Sequence, residues 1–159
     1  MWARYAKTSP LKNLRAPGSN TASQKAGRRY ESKILRNLKV GNETTFMLSP
    51  WIHYALTSGL EHHCQPDAIL LRKDCLIIFE VKLTHTIDAY WQLRHLYAPA
   101  MRKVEPNTPQ HLVEITRSFD PNCLYPETMR LFFDLSILLS YLAATVPDEK
   151  IINILQWKL

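Results

Sequence analysis

Three charged residues stand at the ends of two short apolar segments, and their types are those of a hydrolytic site. Asp67 opens the segment Ala-Ile-Leu-Leu, whereas Glu80 and Lys82 close the segment Leu-Ile-Ile-Phe. Two carboxylates can share a divalent cation, and an ammonium beside them can orient a water, help deprotonate it, or stabilise charge on a phosphoryl group. These three residues are therefore the candidate catalytic centre.

The spacing of the two segments predicts that the carboxylates meet. The two segments are typical of a β-hairpin whose turn is formed by Lys73 and Asp74. In that register Leu71 faces Leu76 and, counting outward, Asp67 faces Glu80. Directly opposed residues have Cβ atoms roughly 4.5–5.5 Å apart.

This arrangement predicts a metal site. Side chains alternate along a strand, so Lys82 shares the face of Glu80 while Val81 points away. Two like charges this close repel unless a cation lies between them. Mg²⁺ typically takes one or two carboxylates plus water and phosphate oxygens, so we expect Mg²⁺, with Mn²⁺ as a substitute, on Asp67 and Glu80. The Val81 carbonyl is a candidate further ligand.

A helix precedes these segments. Thr21 and Gln24 fit a capping box, which predicts a helix from Ala22 to Val40 that is closed by Gly41. Glu31 lies on the apolar face of this helix, and a carboxylate there is a candidate additional member of the metal site.

The rest of the chain predicts an α/β fold, with a central mixed sheet of four to five strands flanked by helices on both faces. The further elements expected are a strand from Thr44 to Tyr54 with an edge or bulge at Pro50, a helix from Thr86 to Met101 that Pro99 kinks or shortens, a strand from His111 to Ser118, a helix from Pro126 to Ala144, and a last segment from Ile151 to Leu159, for which a strand is favoured over a short helix. Gln92 lies at the edge of the apolar stripe of the second helix, where its amide can bind a water or a phosphate.

Positive charge is concentrated at the start of the chain. Residues 31–159 carry 13 basic and 14 acidic residues, whereas residues 1–30 carry no acidic residue. The seven basic residues before position 31 are Arg4, Lys7, Lys12, Arg15, Lys25, Arg28 and Arg29. Such a stretch is typical of a phosphate-binding arm or of a disordered solubilising tail. We divide the chain into a basic, flexible or extended arm at 1–20 and one domain at 21–159, and we expect the seven to bind nucleic acid.

Other classes of protein are disfavoured. The chain has no run of 18 apolar residues and no secretory signal pattern, so we expect no membrane segment. Cys64, Cys75 and Cys123 are widely spaced, which argues against a disulfide framework or a cysteine-ligated metal and favours a cytoplasmic protein. Zinc binding by His62, His63 and Cys64, with His53, is disfavoured because the spacing is not that of a structural zinc site.

The motif Pro66-Asp67, followed after twelve residues by Glu80-Val81-Lys82, resembles the signature of the PD-(D/E)XK nuclease superfamily. The resemblance spans residues 22 to 118 and implies an αβββαβ core, with Glu31 on the helix before the motif and Gln92 on the helix after it. It implies that Asp67 and Glu80 hold the metal, that Lys82 serves the attacking water and that Glu31 supports the metal site. The implied reaction is phosphodiester hydrolysis, leaving a 5′-phosphate and a 3′-hydroxyl.

Several questions stay open at this level. Members of the RecB type carry a tyrosine four residues after the glutamine, but here position 96 is Leu and the tyrosine is Tyr97. Tyr90 and Trp91 are candidates to stack on bases, whereas Tyr97 is expected in the core. DNA is the expected substrate, although the sequence does not decide between DNA and RNA or between endo- and exonucleolytic cleavage. The alternatives are an inactive nucleic-acid-binding protein with this fold and an oligomeric interaction protein that uses its apolar C-terminal helix. The resemblance implies that a homodimer is also compatible with a nuclease.

Overall fold

A computed structural model describes residues 1–6, 10, 21–38, 45–118, 130–132, 135–148 and 150–155. The described chain is α/β, as predicted. Its elements are β1 (Trp2–Tyr5), α1 (Ala22–Asn37), β2 (Thr45–Leu48), β3 (Ile52–Ala55), β4 (Glu61–Cys64), β5 (Ala68–Leu71), β6 (Leu76–Thr84), α2 (Ile87–Trp91), a π-helical segment (Gln92–Tyr97), α3 (Ala98–Val104), β7 (Gln110–Ser118), β8 (Arg130–Phe132), α4 (Leu135–Ala144) and β9 (Ile151–Leu155).

The main sheet is mixed, as predicted, with the strand order β2-β5-β6-β7-β9-β8. Strands β2, β5 and β6 pair antiparallel, and β6, β7, β9 and β8 pair parallel. Strand β6 lies inside the sheet, and its residues from Leu76 to Val81 are all buried. Its unbroken apolar run is therefore the sequence of a strand covered on both faces.

The sixth strand, β8, corrects one prediction. The sequence predicted a single helix from Pro126 to Ala144, but Arg130–Phe132 is a strand that pairs with β9, and in the described chain the helix begins at Leu135. A short apolar run fits a helix or a strand equally well, and here the exposed edge of β9 selects the strand. The predicted start at Pro126 lies outside the described residues. The strand predicted for Ile151 onward is confirmed as far as Leu155.

A second sheet, with the order β1-β3-β4, was not predicted. The single strand expected from Thr44 to Tyr54 is divided at Ser49, which has a φ of 45°, and at Pro50, which has no N–H to continue a ladder. The part before the break joins the main sheet through β5, and the part after it joins β1 and β4. Thr44 itself lies outside the described residues.

Helices contribute to the core on both sides of the main sheet. One core joins α1 and α4 to alternate β6 residues, namely Tyr30, Ile34, Leu38, Leu138 and Leu142 with Ile77, Phe79 and Val81. The other joins the second helical region and the small sheet to the intervening β6 residues, namely Leu93, Tyr97, Ala98, Met101, Ile52 and Cys64 with Leu76 and Ile78. This strict alternation places Glu80 and Lys82 on the side of the second core.

The capping box that begins α1 is confirmed. The Thr21 hydroxyl accepts a hydrogen bond from the Gln24 backbone N–H at 3.2 Å, and the Gln24 side chain accepts one from the Thr21 N–H at 3.0 Å. The helix ends at Asn37, earlier than the predicted Val40, and Val40 and Gly41 lie outside the described residues. Among the described residues, no helix is both long enough and apolar enough to cross a membrane.

The second helical region runs to Val104, beyond the predicted Met101, and Pro99 does not shorten it. Instead, the residues before the proline adopt π-helical geometry from Gln92 to Tyr97. Pro99 then occupies the first turn of α3, where its missing N–H is tolerated. Pro99 was predicted to kink or shorten this helix. The structure shows instead that the helix changes type before the proline and continues after it.

Candidate active site

The hairpin that positions the site has the predicted register. Leu71 pairs with Leu76 and Ala68 with Phe79, so the next residues outward are Asp67 and Glu80. Asp67 lies just before the start of β5, and its Oδ2 accepts a hydrogen bond of 2.7 Å from the Val81 N–H. This bond ties the Asp67 carboxylate to the central strand, beside Glu80.

The Val81 carbonyl lies on the same side of the strand as this bond. The N–H and C=O of one strand residue point to the same neighbouring strand. Because the Val81 N–H is directed at Asp67, the carbonyl faces past the end of β5, toward the same space. The Val81 carbonyl was predicted from the sequence as a candidate metal ligand, and its direction is compatible with that role.

Glu80 and Lys82 form a close ion pair. The Lys82 Nζ lies 2.6 Å from Glu80 Oε1, with the Glu80 side chain 3% exposed and that of Lys82 30% exposed. The second oxygen, Glu80 Oε2, is buried and has no hydrogen-bond partner among the described residues. A buried carboxylate oxygen without a donor is costly unless a cation or a water completes its shell.

The two carboxylates repel each other. Burial, and then the charge of Glu80, raise the pKa of Asp67 to about 8, against the opposing effect of the Val81 hydrogen bond. Burial also raises the pKa of Glu80, even though Lys82 opposes this change. Raised pKa values on two neighbouring acids are what burial and mutual repulsion produce when no metal ion lies between the carboxylates.

Lys82 is held in its charged form. Burial by itself lowers the pKa of an ammonium, but the charge of Glu80, the hydrogen bond to it and the charge of Asp67 raise the pKa of Lys82 above its ordinary value. Lys82 is therefore a cation at neutral pH, and its proton is bound too firmly for it to act as a base.

Glu31 lies close enough to influence the site electrostatically. It is partly buried on α1, and its charge raises the pKa of Asp67 and of Glu80. In the described part of the chain, however, no three His, Cys, Asp or Glu residues are grouped closely enough to hold a metal ion. The structure thus places Glu31 near the pair without bringing it into a three-carboxylate set.

The π-helical segment brings Gln92 and Tyr97 to one face. A π-helix adds one residue per turn, so the fifth residue after Gln92 takes the place that the fourth takes in an α-helix. The Gln92 Oε1 is buried without a hydrogen-bond partner among the described residues. The Tyr97 hydroxyl donates to the Gln65 carbonyl at 3.2 Å, and the pKa of Tyr97 is raised by burial and by the charges of Glu80 and Asp67. The π-helical backbone therefore places Gln92 and Tyr97 one turn apart although they are five positions apart in the sequence.

A buried polar network behind Glu80 was missed in the sequence. Glu114 pairs with Glu80 across β6 and β7, and both of its oxygens lie 2.8 Å from the His85 Nδ1, which therefore donates. Asn153 Nδ2 donates to Glu114 Oε2 at 3.0 Å, and Thr116 donates to Asn153 at 3.3 Å. The available signal was an acidic residue in the middle of the apolar run Leu-Val-Glu-Ile, which must be buried with its strand.

The basic residues are distributed over two surfaces. Arg4 lies in β1, and Lys25, Arg28 and Arg29 are exposed on α1. Lys7, Lys12 and Arg15 lie outside the described residues. A shallow concavity on α1 is lined by Arg28, Arg29, Ser32, Lys33 and Arg36. Lys33 and Arg36 were not among the residues predicted to bind nucleic acid, and the structure adds them to the basic surface of α1.

Comparison of the chain with models of protein families, with curated proteins and with solved structures finds no match.

Proposed function

We propose that this protein is a metal-dependent nuclease that hydrolyses phosphodiester bonds in DNA, leaving a 5′-phosphate and a 3′-hydroxyl. The observation that carries the proposal is the convergence of the Asp67 and Glu80 carboxylates beside the Lys82 ammonium at the end of a central strand. The resemblance of these residues to the PD-(D/E)XK signature supplies the reaction class.

The residues fit a hard divalent cation. The Asp67 carboxylate, the uncompensated Glu80 Oε2 and the Val81 carbonyl are all oxygen donors, as Mg²⁺ or Mn²⁺ requires. These three groups would hold the ion, with Glu31 near enough to add negative charge. When bound, the metal would supply Lewis-acid stabilisation of phosphoryl oxygens and a lowered pKa for a coordinated water.

The side chains around the carboxylates have separable roles in this proposal. Lys82 is an ammonium at neutral pH, so it would orient the attacking water and stabilise negative charge on the phosphoryl group rather than remove a proton. Glu80 fixes that ammonium through its Oε1. The buried Gln92 amide would orient a water or a phosphate oxygen at the same face.

The solvent-facing side of α1 supports nucleic acid as the substrate. Five basic residues, Lys25, Arg28, Arg29, Lys33 and Arg36, are exposed within three helical turns, and the ion pairs found in the described chain include none of them. Like charges at this spacing destabilise a helix by a few tenths of a kcal/mol per pair, unless a polyanion lies against them. A cytoplasmic location belongs to the proposal and agrees with the free thiols of Cys64 and Cys75.

The test is a cleavage assay on single-stranded, duplex, nicked and branched DNA in Mg²⁺, Mn²⁺ or EDTA. We expect cleavage only with metal, products that a DNA ligase rejoins, and a loss of at least about 100-fold in Glu80→Ala and Lys82→Ala. Asp74→Asn, which alters an exposed carboxylate in the turn of the same hairpin, is the matched control and should cleave normally.

Two results would overturn the proposal. Equal cleavage by wild type and Glu80→Ala would place the activity elsewhere or in a contaminant. If calorimetry shows no Mn²⁺ binding while DNA binding persists, the protein is instead a nucleic-acid-binding protein that kept the fold without catalysis.

A further inference from the structure

The small sheet carries a ladder of rings on its outer face. The His53 and His63 rings, on neighbouring strands, stack with centroids 4.4 Å apart and planes inclined by 9°. The Trp2 ring meets His53 edge-on at 4.9 Å, and the Arg4 guanidinium lies 5.4 Å from the centre of the Trp2 ring. Four side chains from three strands thus form one continuous aromatic and cationic surface.

This surface is distinct from the face of the sheet that packs on the protein. Ala3, Tyr5, Ile52 and Tyr54 alternate with the ladder residues along β1 and β3 and pack against the second core. The ladder residues therefore point away from it. Trp2 is 42% exposed, and no described ring covers the outer face of His63 on the edge strand β4. The inner face packs on the core, whereas the outer face leaves the Trp2 and His63 rings exposed.

The ladder lies close to the candidate active site. Only Gln65 and Pro66 separate the end of β4 from Asp67, so the Cα atoms of His63 and Asp67 are at most about 14 Å apart. Two hydrogen bonds hold the segment between β4 and Asp67. Gln65 Nε2 donates to the Ser49 carbonyl at 2.7 Å, and the backbone carbonyl of Gln65 accepts from the Tyr97 hydroxyl. A chain bound on the ladder would therefore reach the carboxylates within a few nucleotides.

We propose that this ladder, Trp2, Arg4, His53 and His63, is a base-stacking surface for single-stranded DNA, which deepens the proposed nuclease function by naming its substrate class. Exposed ring faces bind unstacked bases in a sequence-tolerant way, and a guanidinium beside them pairs with the backbone phosphate. Trp2 and His63 supply these faces, whereas His53 is only 13% exposed and supports the two rings from between them. The Glu61 carboxylate pairs with His53 Nε2 at 3.1 Å, and Arg4 Nη2 lies 3.5 Å from His53 Nδ1, so the Arg4 guanidinium keeps further N–H donors for an anion.

A single strand suits this surface better than a duplex. In a duplex the base faces are already stacked on each other and only groove edges and phosphates are presented. The ladder offers ring faces and one fixed cation rather than the row of cations that a duplex backbone requires. The basic residues of α1 provide that row on a different element.

The experiment measures binding by fluorescence anisotropy of labelled oligo(dT) and of a blunt duplex to the full chain, in EDTA so that nothing is cleaved. We expect Trp2→Ala and His63→Ala each to weaken oligo(dT) binding by about 5- to 100-fold and to change duplex binding less than twofold. Trp2→Phe, which keeps a ring, should retain most of the affinity and guards against a folding defect. His62→Ala is the matched control, because it removes the same ring from the opposite face of β4 and should bind oligo(dT) as the wild type does.

The outcome separates this inference from the proposed function. If Trp2→Ala and His63→Ala bind oligo(dT) as tightly as wild type, or lose duplex binding equally, the stacking surface is refuted even when metal-dependent cleavage persists. If both lose oligo(dT) binding while the wild type cleaves no DNA in Mg²⁺ or Mn²⁺, the stacking surface stands and the nuclease proposal falls.

Discussion

Replacing Asp67 with Asn should stabilise the metal-free protein, and should do so increasingly as the pH rises. Burial and Glu80 raise the pKa of Asp67 from 3.8 to about 8. Between these values the unfolded chain has released the proton and the folded chain keeps it, so the folded state binds more protons. The contribution of Asp67 to the free energy of unfolding must therefore fall as the pH rises through this window. An Asn side chain stays neutral, and its carbonyl can still accept the bond from Val81.

The size of the effect follows from the same pKa. Each pH unit between the two pKa values changes the free energy of unfolding by about 1.4 kcal/mol, which sets a ceiling of about 5 kcal/mol at pH 8. Asp67 is only partly buried, and relaxation and water entry reduce such penalties. We therefore expect the free energy of unfolding of Asp67→Asn to exceed that of the wild type by about 2–3 kcal/mol at pH 8, which corresponds to about 5–10 °C in melting temperature. Near pH 4 the two proteins should be equally stable.

The assay is urea and thermal unfolding of wild type, Asp67→Asn and the control Asp74→Asn, from pH 4 to pH 8 in EDTA. Adding Mg²⁺ at pH 8 should raise the melting temperature of the wild type and leave Asp67→Asn unchanged, because only the wild type retains the carboxylate pair. A stability difference between wild type and Asp67→Asn that does not grow toward pH 8 would show that the pKa of Asp67 is not raised in the folded state.

Three further predictions test other parts of the structure. Lys82→Ala should lower the free energy of unfolding by about 1–3 kcal/mol at neutral pH, because it leaves the Glu80 charge buried without its ammonium, and Lys82→Ala/Glu80→Gln should recover most of that loss in urea unfolding. Thr21→Ala should lower the free energy of unfolding by about 1 kcal/mol, because it removes the hydroxyl that caps α1, whereas Thr21→Ser keeps the hydroxyl and should change it little. Equal losses of stability in both variants would show that the methyl group of Thr21, and not its hydroxyl, stabilises the protein. Deleting the exposed His95 should convert the π-helical segment to an α-helix, in which Gln92 and Tyr97 still lie on one face. The variant should therefore unfold cooperatively, and loss of cooperative unfolding would show that the π-helix is needed for packing.

Local rules were enough to predict the hairpin and its register. A two-residue turn at positions 73 and 74 pairs Arg72 with Cys75, and counting outward from this pair leaves one register. The cap of α1 was equally local, because its two hydrogen bonds join residues three apart. These features place Asp67, Glu80 and Lys82 at one strand end.

The tertiary structure decided which of several locally acceptable conformations each remaining segment took. Pro50 indicates an edge or a bulge in the segment from Thr45 to Ala55, but the local pattern does not say that the two halves join different sheets, because each half pairs with partners distant in sequence. Arg130–Phe132 became a strand only because β9 offered an edge. Neither pairing leaves a trace in the local pattern, since the hydrogen-bonding partners are remote.

The sequence by itself thus determined which acidic and basic groups meet, because a hairpin register depends on neighbours along the chain. It could not determine how those groups ionise. The raised pKa of Asp67 arises mainly from burial by helices and strands of the whole domain and then from the charge of Glu80. The raised pKa of Lys82 arises from the negative charges around it, Glu80 first, which outweigh the opposite effect of burial. The sequence also could not predict that Glu114 and Tyr97 lie near Glu80. These residues belong to different elements, and their side chains come together only when the strands pair and the helices pack on the sheet.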